Sequence, residues 1–281
     1  MEAAIPDDLP RLAPRALDSH KGVFGRALLV GGSRGMCGAI ALSGMATLRS
    51  GAGLVKLAVP ENCLDTVAQF DPCYMTAPLD HDDQGRIASS SLEAIHELAQ
   101  TATCVALGPG LGRSEGLTKL VGWLYRILPQ PMVIDADGLN ALAASAGALA
   151  HPGGPRILTP HPGEYARLQA AHAPEATATM LAAQHGLVVV LKGHRTLVTN
   201  GKQEFHNTSG NPGLAKGGSG DVLTGVITAL ICQGLKPLDA ARLGAFTHGV
   251  AGDIAAEKLG PIGMTAVDLI EALPEAWRRV S

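Results

Sequence analysis

The residues best suited to chemistry in this chain stand at the ends of apolar runs. Gly217-Gly218-Ser219-Gly220-Asp221 comes immediately before the apolar segment "VLTGVITALI". Glycines there let successive backbone N–H groups point one way, and a following helix adds the positive end of its dipole. Such a cradle suits a transferring phosphoryl group, with Asp221 at its rim as a base. Plain helix capping by Asp221 is the simpler account of an Asp after G-x-G. The upstream run "NTSGNPGLAKG" argues against it, since it brings the glycines between Asn207 and Gly234 to seven, more than a cap requires. Lys192 ends "VVVLK", where a buried ammonium must meet an anion, and phosphate is the candidate. Asp135 ends "VID" and needs a partner or a cation for the same reason, whereas Asp137 reads as the N-cap of "GLNALA". In "TPHPGEY", Pro162 and Glu164 suit the N1 and N3 positions of a helix, with His161 beside them.

Two further glycine loops fail the common nucleotide fingerprints. Counted from Gly32, "GGSRGMCGA" would need glycines where Arg34 and Cys37 stand, and "GPGLGRSEG" has Arg113 or Glu115 in the last position. Leu223 occupies the third-glycine position of the Gly218 loop, and Lys216 is followed by Gly217, so neither a dinucleotide fingerprint nor a Walker loop is present. These failures argue against hydride transfer on a nicotinamide fold of the chain's own. Gly38-Ala39 and Gly110-Leu111-Gly112 instead leave room for a ligand to approach the backbone.

These loops must be held by the elements between them. "ALLVGG", "LVKLAV", "YMTAPL", "TCVALG", "PMVID", "RILTP" and "GLVVVLK" read as strands. Helical patterns such as "GAIALSGMATLRSGAG", residues 62–70 and "SSLEAIHELAQ" alternate with them. Continuous apolar strands separated by helices predict an α/β fold, a mainly parallel sheet covered on both faces. Two short β runs around Asn200-Gly201 signal a hairpin, hence a small antiparallel edge. The last third is helical, with Thr265 and Asp268 as a capping box for the final helix. With no linker and no repeat, residues 1–281 read as one domain, and ligands belong beyond the carboxyl ends of its strands.

Composition narrows the class. Aromatics are only 3% of the 281 residues, so Ala, Val, Leu and Ile must fill a core of close helix–sheet contacts. The 22 basic and 25 acidic residues nearly cancel without a basic block, which argues against nucleic acid and against an anionic membrane as partners. Five widely spaced cysteines without C-x-x-C fit buried thiols in a reducing compartment. The acidic start "MEAAIPDDLP" lacks a signal-peptide pattern and no apolar stretch reaches membrane-spanning length, so the expected location is the cytoplasm.

With these loops in order, about residues 15–278 resemble the ribokinase-like superfamily, with its three-layer α/β/α fold. Within it the chain is similar to the ADP/ATP-dependent NAD(P)H-hydrate dehydratases. The resemblance rests on "GGSRGMCGAIALSGMATLRSGAGLVKLAVP", "ALGPGLG", "VIDADGLNAL", "LTPHPGE", "LKGHRTLV" and "GNPGLAKGGSGDVLTG". It implies removal of water from the S form of hydrated NADH or NADPH (NADHX, NADPHX). The hydroxyl is phosphorylated and then lost as phosphate, and ADP, the co-substrate that the "GGSGD" form favours over ATP, leaves as AMP. By the same resemblance Asp221 contacts the substrate hydroxyl as base, and Gly217, Gly218, Ser219 and Gly220 cradle the phosphoryl group. Lys192, Gly193, His194, Arg195, Thr196 and Gly220 contact the nucleotide, and Ala39, Gly110 and His161 line the hydrate site. Glu164 stands where related kinases associate with Mg2+. The resemblance further implies a homotetramer, and an epimerase on a separate polypeptide, since no epimerase domain is read here. Two alternatives stay open: a hydroxyethyl-thiazole or hydroxymethyl-pyrimidine kinase of the same superfamily, and a non-catalytic nucleotide sensor.

Overall fold

The computed structural model describes residues 4–145 and 147–280. Its centre is a nine-stranded sheet in the order β3-β2-β1-β4-β5-β6-β7-β8-β9. Strands β1 (Arg26–Val30), β2 (Leu54–Pro60), β3 (Met75–Leu79), β4 (Cys104–Leu107), β5 (Met132–Ile134), β6 (Arg156–Leu158) and β7 (Val188–Leu191) run parallel. β8 (Leu197–Thr199) and β9 (Glu204–His206) close one edge in antiparallel fashion, as the hairpin signal predicts. Asn200 makes that turn by accepting from the N–H groups of Lys202 and Gln203 at 3.0 and 2.9 Å, beside Gly201 at φ 84°.

Both faces of the sheet are covered, which is why its strands read as unbroken apolar runs. Alternate residues serve opposite layers. Leu29, Ala106, Val133, Ile157 and Val190 join one core with α1 (Cys37–Arg49), α8 (Ser219–Cys232), α9 (Pro237–Gly263) and α10 (Ala266–Val280). Leu28, Val105, Ile134, Leu158 and Val189 join the other. That second layer contains α3 (Leu92–Ala99), α4 (Glu115–Ile127), α5 (Ala136–Ala143), α6 (Pro162–His172) and α7 (Ala178–His185), while the short α2 (Leu64–Ala68) lies with the first.

The near absence of aromatics has a direct structural counterpart where α1 crosses α8. A side chain on Gly225 would put its Cβ 2.2 Å from the Ser43 carbonyl oxygen, so the two backbones touch. The Ser43 hydroxyl donates to the Asp221 carbonyl at 2.9 Å and the Thr47 hydroxyl to the Gly225 carbonyl at 3.2 Å, which fixes how α8 lies on α1.

Several local expectations change. Thr265 and Asp268 form half a capping box: the carboxylate accepts the Thr265 N–H at 2.7 Å, but the hydroxyl donates to that same oxygen and leaves the helix N–H groups alone. Cys63, Cys104 and Cys232 are buried thiols, but Cys37 is half-buried and Cys73 exposed. Among the described residues no helix is long and apolar enough to cross a membrane. α9 is broken at Gly260 (φ 74°), just before Pro261, where an uninterrupted helix would lose a backbone hydrogen bond.

One cation holds the floor of the molecule. Arg156, 1% exposed at the start of β6, donates to the carbonyls of Tyr125, Leu128, Gln130 and Pro155. The carbonyls of Tyr125, Leu128 and Gln130 end α4 and turn into β5, so the guanidinium does for that helix what a C-cap does elsewhere. Arg156→Leu should strip them of donors inside the protein and cost on the order of 3 kcal/mol or more. That corresponds to a melting temperature about 5–10 °C lower. Arg156→Lys, with fewer donors, should fall between. A Leu variant that melts with the wild type would remove this role.

Candidate active site

The loops singled out by composition lie side by side along one sheet edge, because the parallel strands all end there. β1 pairs with both β2 and β4, so the chain direction of winding reverses between β1 and β4. In open α/β sheets this crevice is the usual ligand site. The loops that flank it are joined: Gly32 N–H donates to the Pro109 carbonyl at 2.8 Å, and the Ser33 hydroxyl to the Gly110 carbonyl at 2.8 Å. Gly110 has φ 64°, and a Cβ there would come 2.4 Å from the Met36 carbonyl oxygen and 3.1 Å from Ala39 Cβ. Ala39 and Gly110 are thus brought together. His161 lies two strands further along the same edge, as the N-cap of α6.

His161 and Glu164 form a reciprocal capping box. His161 Nδ1 accepts from the N–H groups of Gly163 and Glu164 at 3.0 and 3.3 Å, and Glu164 Oε2 accepts the His161 N–H at 2.8 Å. Nδ1 therefore carries no proton, and Nε2, on a half-exposed side chain, lies 3.5 Å from Glu164 Oε1. Glu164 is buried, and burial, ahead of the opposing pull of Lys192, raises its proton affinity.

Asp137 is not the cap of α5. The helix starts one residue earlier, with Asp135 at the N-cap position, so Asp137 lies inside the first turn. Its carboxylate accepts from Gly112 N–H at 2.9 Å, Arg113 Nε at 3.1 Å and Asn140 Nδ2 at 3.1 Å, and so ties the "GPGLG" loop to α5. Asp135, 1% exposed, does not cap its helix either. It accepts from Lys192 Nζ at 2.7 Å and from the Thr224 hydroxyl at 2.8 Å. The anion that Lys192 required is therefore first of all a carboxylate of the protein, with Glu164 Oε2 3.9 Å away. Burial opposes the charge on Lys192, but these two acids outweigh it and raise the pKa.

Asp221 is not at the rim of its helix. Gly218, at φ 93°, makes the left-handed entry, so α8 begins at Ser219 and Asp221 is its third residue. Only glycine adopts that φ easily, and a Cβ there would press on Leu42 and Ala266. The dipole of α8 would favour an ionised carboxylate in this first turn, but other effects oppose it. Burial, then the neighbouring Asp135 charge, with Lys192 opposing, pushes the Asp221 carboxyl up to about 7. Desolvation in this crowded acidic corner exceeds the dipole's effect.

The glycine run is anchored, not slack. Asp253 of α9 accepts from Gly210 N–H at 2.9 Å and from Asn211 Nδ2 at 3.0 Å. Asn207 Nδ2 donates to the Ala245 carbonyl at 3.2 Å, and Lys216 Nζ reaches the Ile262 and Met264 carbonyls. Buried His248 donates from Nε2 to the Ser219 carbonyl at 2.9 Å, and burial pushes its pKa down to about 4, so it is neutral. Beyond Gly218, the N–H groups of Gly220 and Asp221 belong to the first turn and have no acceptor within their own helix. Gly217 is open on its outer side. Gly193, His194 and Arg195 form an exposed loop after β7, closed by Thr196, whose hydroxyl lies 3.3 Å from Gly193 N and 3.1 Å from its carbonyl oxygen.

Sequence reasoning did not find Thr224, His248 or Asp253. Each sits inside an apolar helix with no local cue, and each matters because of a partner at least 29 residues away. Among the described residues no group of three or more His, Cys, Asp or Glu side chains is arranged to hold a metal ion. Glu164 in particular is already engaged by the His161 N–H and by Lys192.

The elevated Asp221 value links the site to stability. An ordinary aspartate releases its proton near 3.8, whereas the folded protein retains this one to about 7. The contribution is favourable at low pH and is lost as pH rises from about 4 to about 7, where the unfolded chain holds the charge more easily. Asp221→Asn should therefore melt with the wild type near pH 4 and above it at pH 8, by a few kcal/mol at most. A variant less stable than the wild type at pH 8 would show that Asp221 is not a strained acid.

A model of the NAD(P)H-hydrate dehydratase family matches residues 27–275. The bifunctional NAD(P)H-hydrate repair enzyme Nnr of Moorella thermoacetica is 43% identical over 279 residues, which is 97% of this chain and 52% of that protein. The enzyme of the same name from Escherichia coli is 37% identical, covering 93% of this chain and 49% of that one. The chain thus spans about half the length of these relatives. A solved structure of the ADP/ATP-dependent NAD(P)H-hydrate dehydratase of Bacillus subtilis, co-crystallised with ATP and Mg2+, superposes with TM-score 0.80 at 31% identity. It covers 96% of this chain and 95% of that one. A hydroxyethylthiazole kinase from Pyrococcus horikoshii, at 18% identity and TM-score 0.57, shares the fold.

Proposed function

Because the chain belongs to the NAD(P)H-hydrate dehydratase family, we propose that it removes water from the S form of NADHX or NADPHX with ADP as co-substrate. The observation that carries this reading is Asp221: a half-buried carboxyl with a pKa of about 7, on the first turn of a helix entered through Gly217-Gly218-Ser219-Gly220. Such a group takes a proton at neutral pH far more readily than an exposed aspartate. In the proposed first step the substrate hydroxyl oxygen attacks the terminal phosphorus of ADP. Asp221 accepts the hydroxyl proton, the phosphoanhydride bond breaks, and AMP leaves. In the second step the carbon–oxygen bond breaks, inorganic phosphate leaves, and the adjacent carbon loses a proton as the ring double bond forms.

The residues divide this work by position. N–H groups of Gly218 to Asp221 face the charge that develops on the phosphoryl oxygens, a preorganised arrangement of the kind that stabilises such transition states. Lys192 stands directly beneath, since a Cβ on Gly220 would lie 3.0 Å from its Nζ. Its ammonium adds positive charge there without leaving Asp135. The exposed loop Gly193-His194-Arg195-Thr196 holds the nucleotide, and Ala39, Gly110 and the half-exposed ring of His161 line the hydrate pocket at the β1–β4 crevice. Mg2+, if brought by the nucleotide, would neutralise phosphate charge there. Glu164 does not fit a magnesium ligand on its own, and neither step uses it as one. The same proposal includes a homotetramer, and an epimerase activity outside residues 27–275 that replenishes the S form.

Purified protein with hydrated NADH, Mg2+ and ADP should restore the absorbance of reduced nicotinamide and release phosphate in equal amounts, with ATP no better than ADP. Asp221→Asn should fold, bind ADP and lose about 10²–10⁴ in kcat. Wild-type turnover in that variant would remove Asp221 as base. Phosphorylation of a thiazole or pyrimidine alcohol with no recovery of NADH would replace the proposal by the kinase reading, and ADP binding with no turnover at all by the sensor.

A further inference from the structure

The buried carboxylate of Asp135 belongs to no step of the proposed reaction, yet three elements meet on it. It stands at the N-cap position of α5 but leaves that helix without a side-chain cap. One oxygen instead accepts from Lys192, at the end of β7, at 2.7 Å. The other accepts from Thr224 of α8 at 2.8 Å. Thr224 is itself fully buried, one helical turn beyond Gly220 and Asp221. The ammonium that Asp135 holds lies under Gly220, whose missing Cβ would stand 3.0 Å from Nζ and 3.6 Å from Asp135 Oδ2. An unpaired aspartate this deeply buried would be costly. An aspartate that gives up its own helix cap to bridge a strand end and a neighbouring helix is arranged for that bridge.

We propose that Asp135 is a positioning residue: through Lys192 and Thr224 it sets the rotation of α8 and the place of the ammonium, so that Asp221 and the phosphoryl group meet at the first turn. The proposal rests on the reading of Asp221 as base. Lys192 cannot swing to a bound phosphate without leaving Asp135 unpaired, so it stays below the glycine turn throughout the cycle. The groups facing Asp221 are Asp135 from β5, Glu164 from α6, Asp137 from α5 and Lys192 from β7. From α9 comes neutral His248, on the Ser219 carbonyl, and from α1 the Ser43 hydroxyl, on the carbonyl of Asp221 itself. Asp135 thus acts on the base in two ways, by geometry through Thr224 and by its charge.

The test compares the pH dependence of kcat at saturating ADP and hydrate in the wild type, Asp135→Asn, Thr224→Val and Thr224→Ser. Since the base must be unprotonated, wild-type kcat falls as pH drops through about 7. Asp135→Asn removes a negative charge beside Asp221 and frees Lys192 to pair with it. Its acid limb should move to lower pH by about one unit. Its kcat plateau should fall about tenfold to hundredfold, while the Kd for ADP, read by calorimetry, changes less than about threefold. Thr224→Val should lower kcat about tenfold with ADP binding intact, and Thr224→Ser, which retains the hydroxyl, should restore it. An Asp135→Asn enzyme that folds and whose acid limb does not move overturns the proposal, as does a loss carried mainly by ADP binding. Where Asp135→Asn does not fold, the Thr224 pair decides: no difference between Val and Ser overturns it. Asp221→Asn in the same series separates the two levels, because full activity there sinks the base itself, whereas an inactive Asp221→Asn beside an unmoved Asp135→Asn sinks only the positioning role.

Discussion

Beneath the first turn of α8 one ammonium, Lys192, stands among the carboxylates of Asp135, Glu164 and Asp221. The rest of the site is arranged around that fact. A buried ion pair holds its place only when its remaining hydrogen-bonding capacity is met. Here Thr224 meets it, and in doing so docks α8 onto the end of the sheet. A side chain on the turn above would crowd the ammonium, since a Cβ on Gly220 would lie 3.0 Å from it. Glycine at 220 is therefore favoured from below by the packing of a cation and, in the proposed reaction, from above by the approach of a phosphoryl group.

The same corner holds more acid than base, and the imbalance has a physical consequence. Two buried carboxyl groups, Asp135 and Glu164, and the half-buried Asp221 face one ammonium, and burial together with the Asp135 charge holds the proton of Asp221 up to about 7. Asp135, bonded to both Lys192 and Thr224, has the most complete set of donors. A carboxylate tightly satisfied by donors makes a poor base, and one under-satisfied makes a good one at some expense to stability. The proposed division between Asp135 as anchor and Asp221 as proton acceptor matches how many donors each one meets.

Rigid placement of the turn comes from small residues. Gly225 against the Ser43 carbonyl, and the Ser43 and Thr47 hydroxyls on the carbonyls of α8, let α1 and α8 approach to backbone contact. α1 carries Ala39 and α8 carries Asp221, so this contact sets the distance between the proposed hydrate pocket and the proposed base. On the other side of the turn, Asp253, Lys216 and His248 fasten the glycine-rich segment to α9. A chain poor in aromatics gains here from helices that pack closely and slide little.

Layer architecture, the antiparallel edge and the row of glycine loops were legible in the residues alone. Strand periodicity and turn chemistry are local, and a parallel sheet buried on both faces leaves an unbroken apolar signature. That Asp135, His161, Glu164, Lys192 and Asp221 share one edge also followed, since every parallel strand ends on the same side. What each of them touches did not. Asp137 looked like a cap and proved to be a bracket for the "GPGLG" loop. Lys192 looked for phosphate and found Asp135. Asp221 looked like a residue at the rim of a glycine cradle and is a half-buried acid in the first turn of α8, its proton held up to about 7. Thr224, His248 and Asp253 gave no sign at all. Hydrogen-bond partners and proton affinities depend on groups far apart in the chain that meet only when the sheet order and the helix contacts are complete, so those properties belong to the tertiary structure.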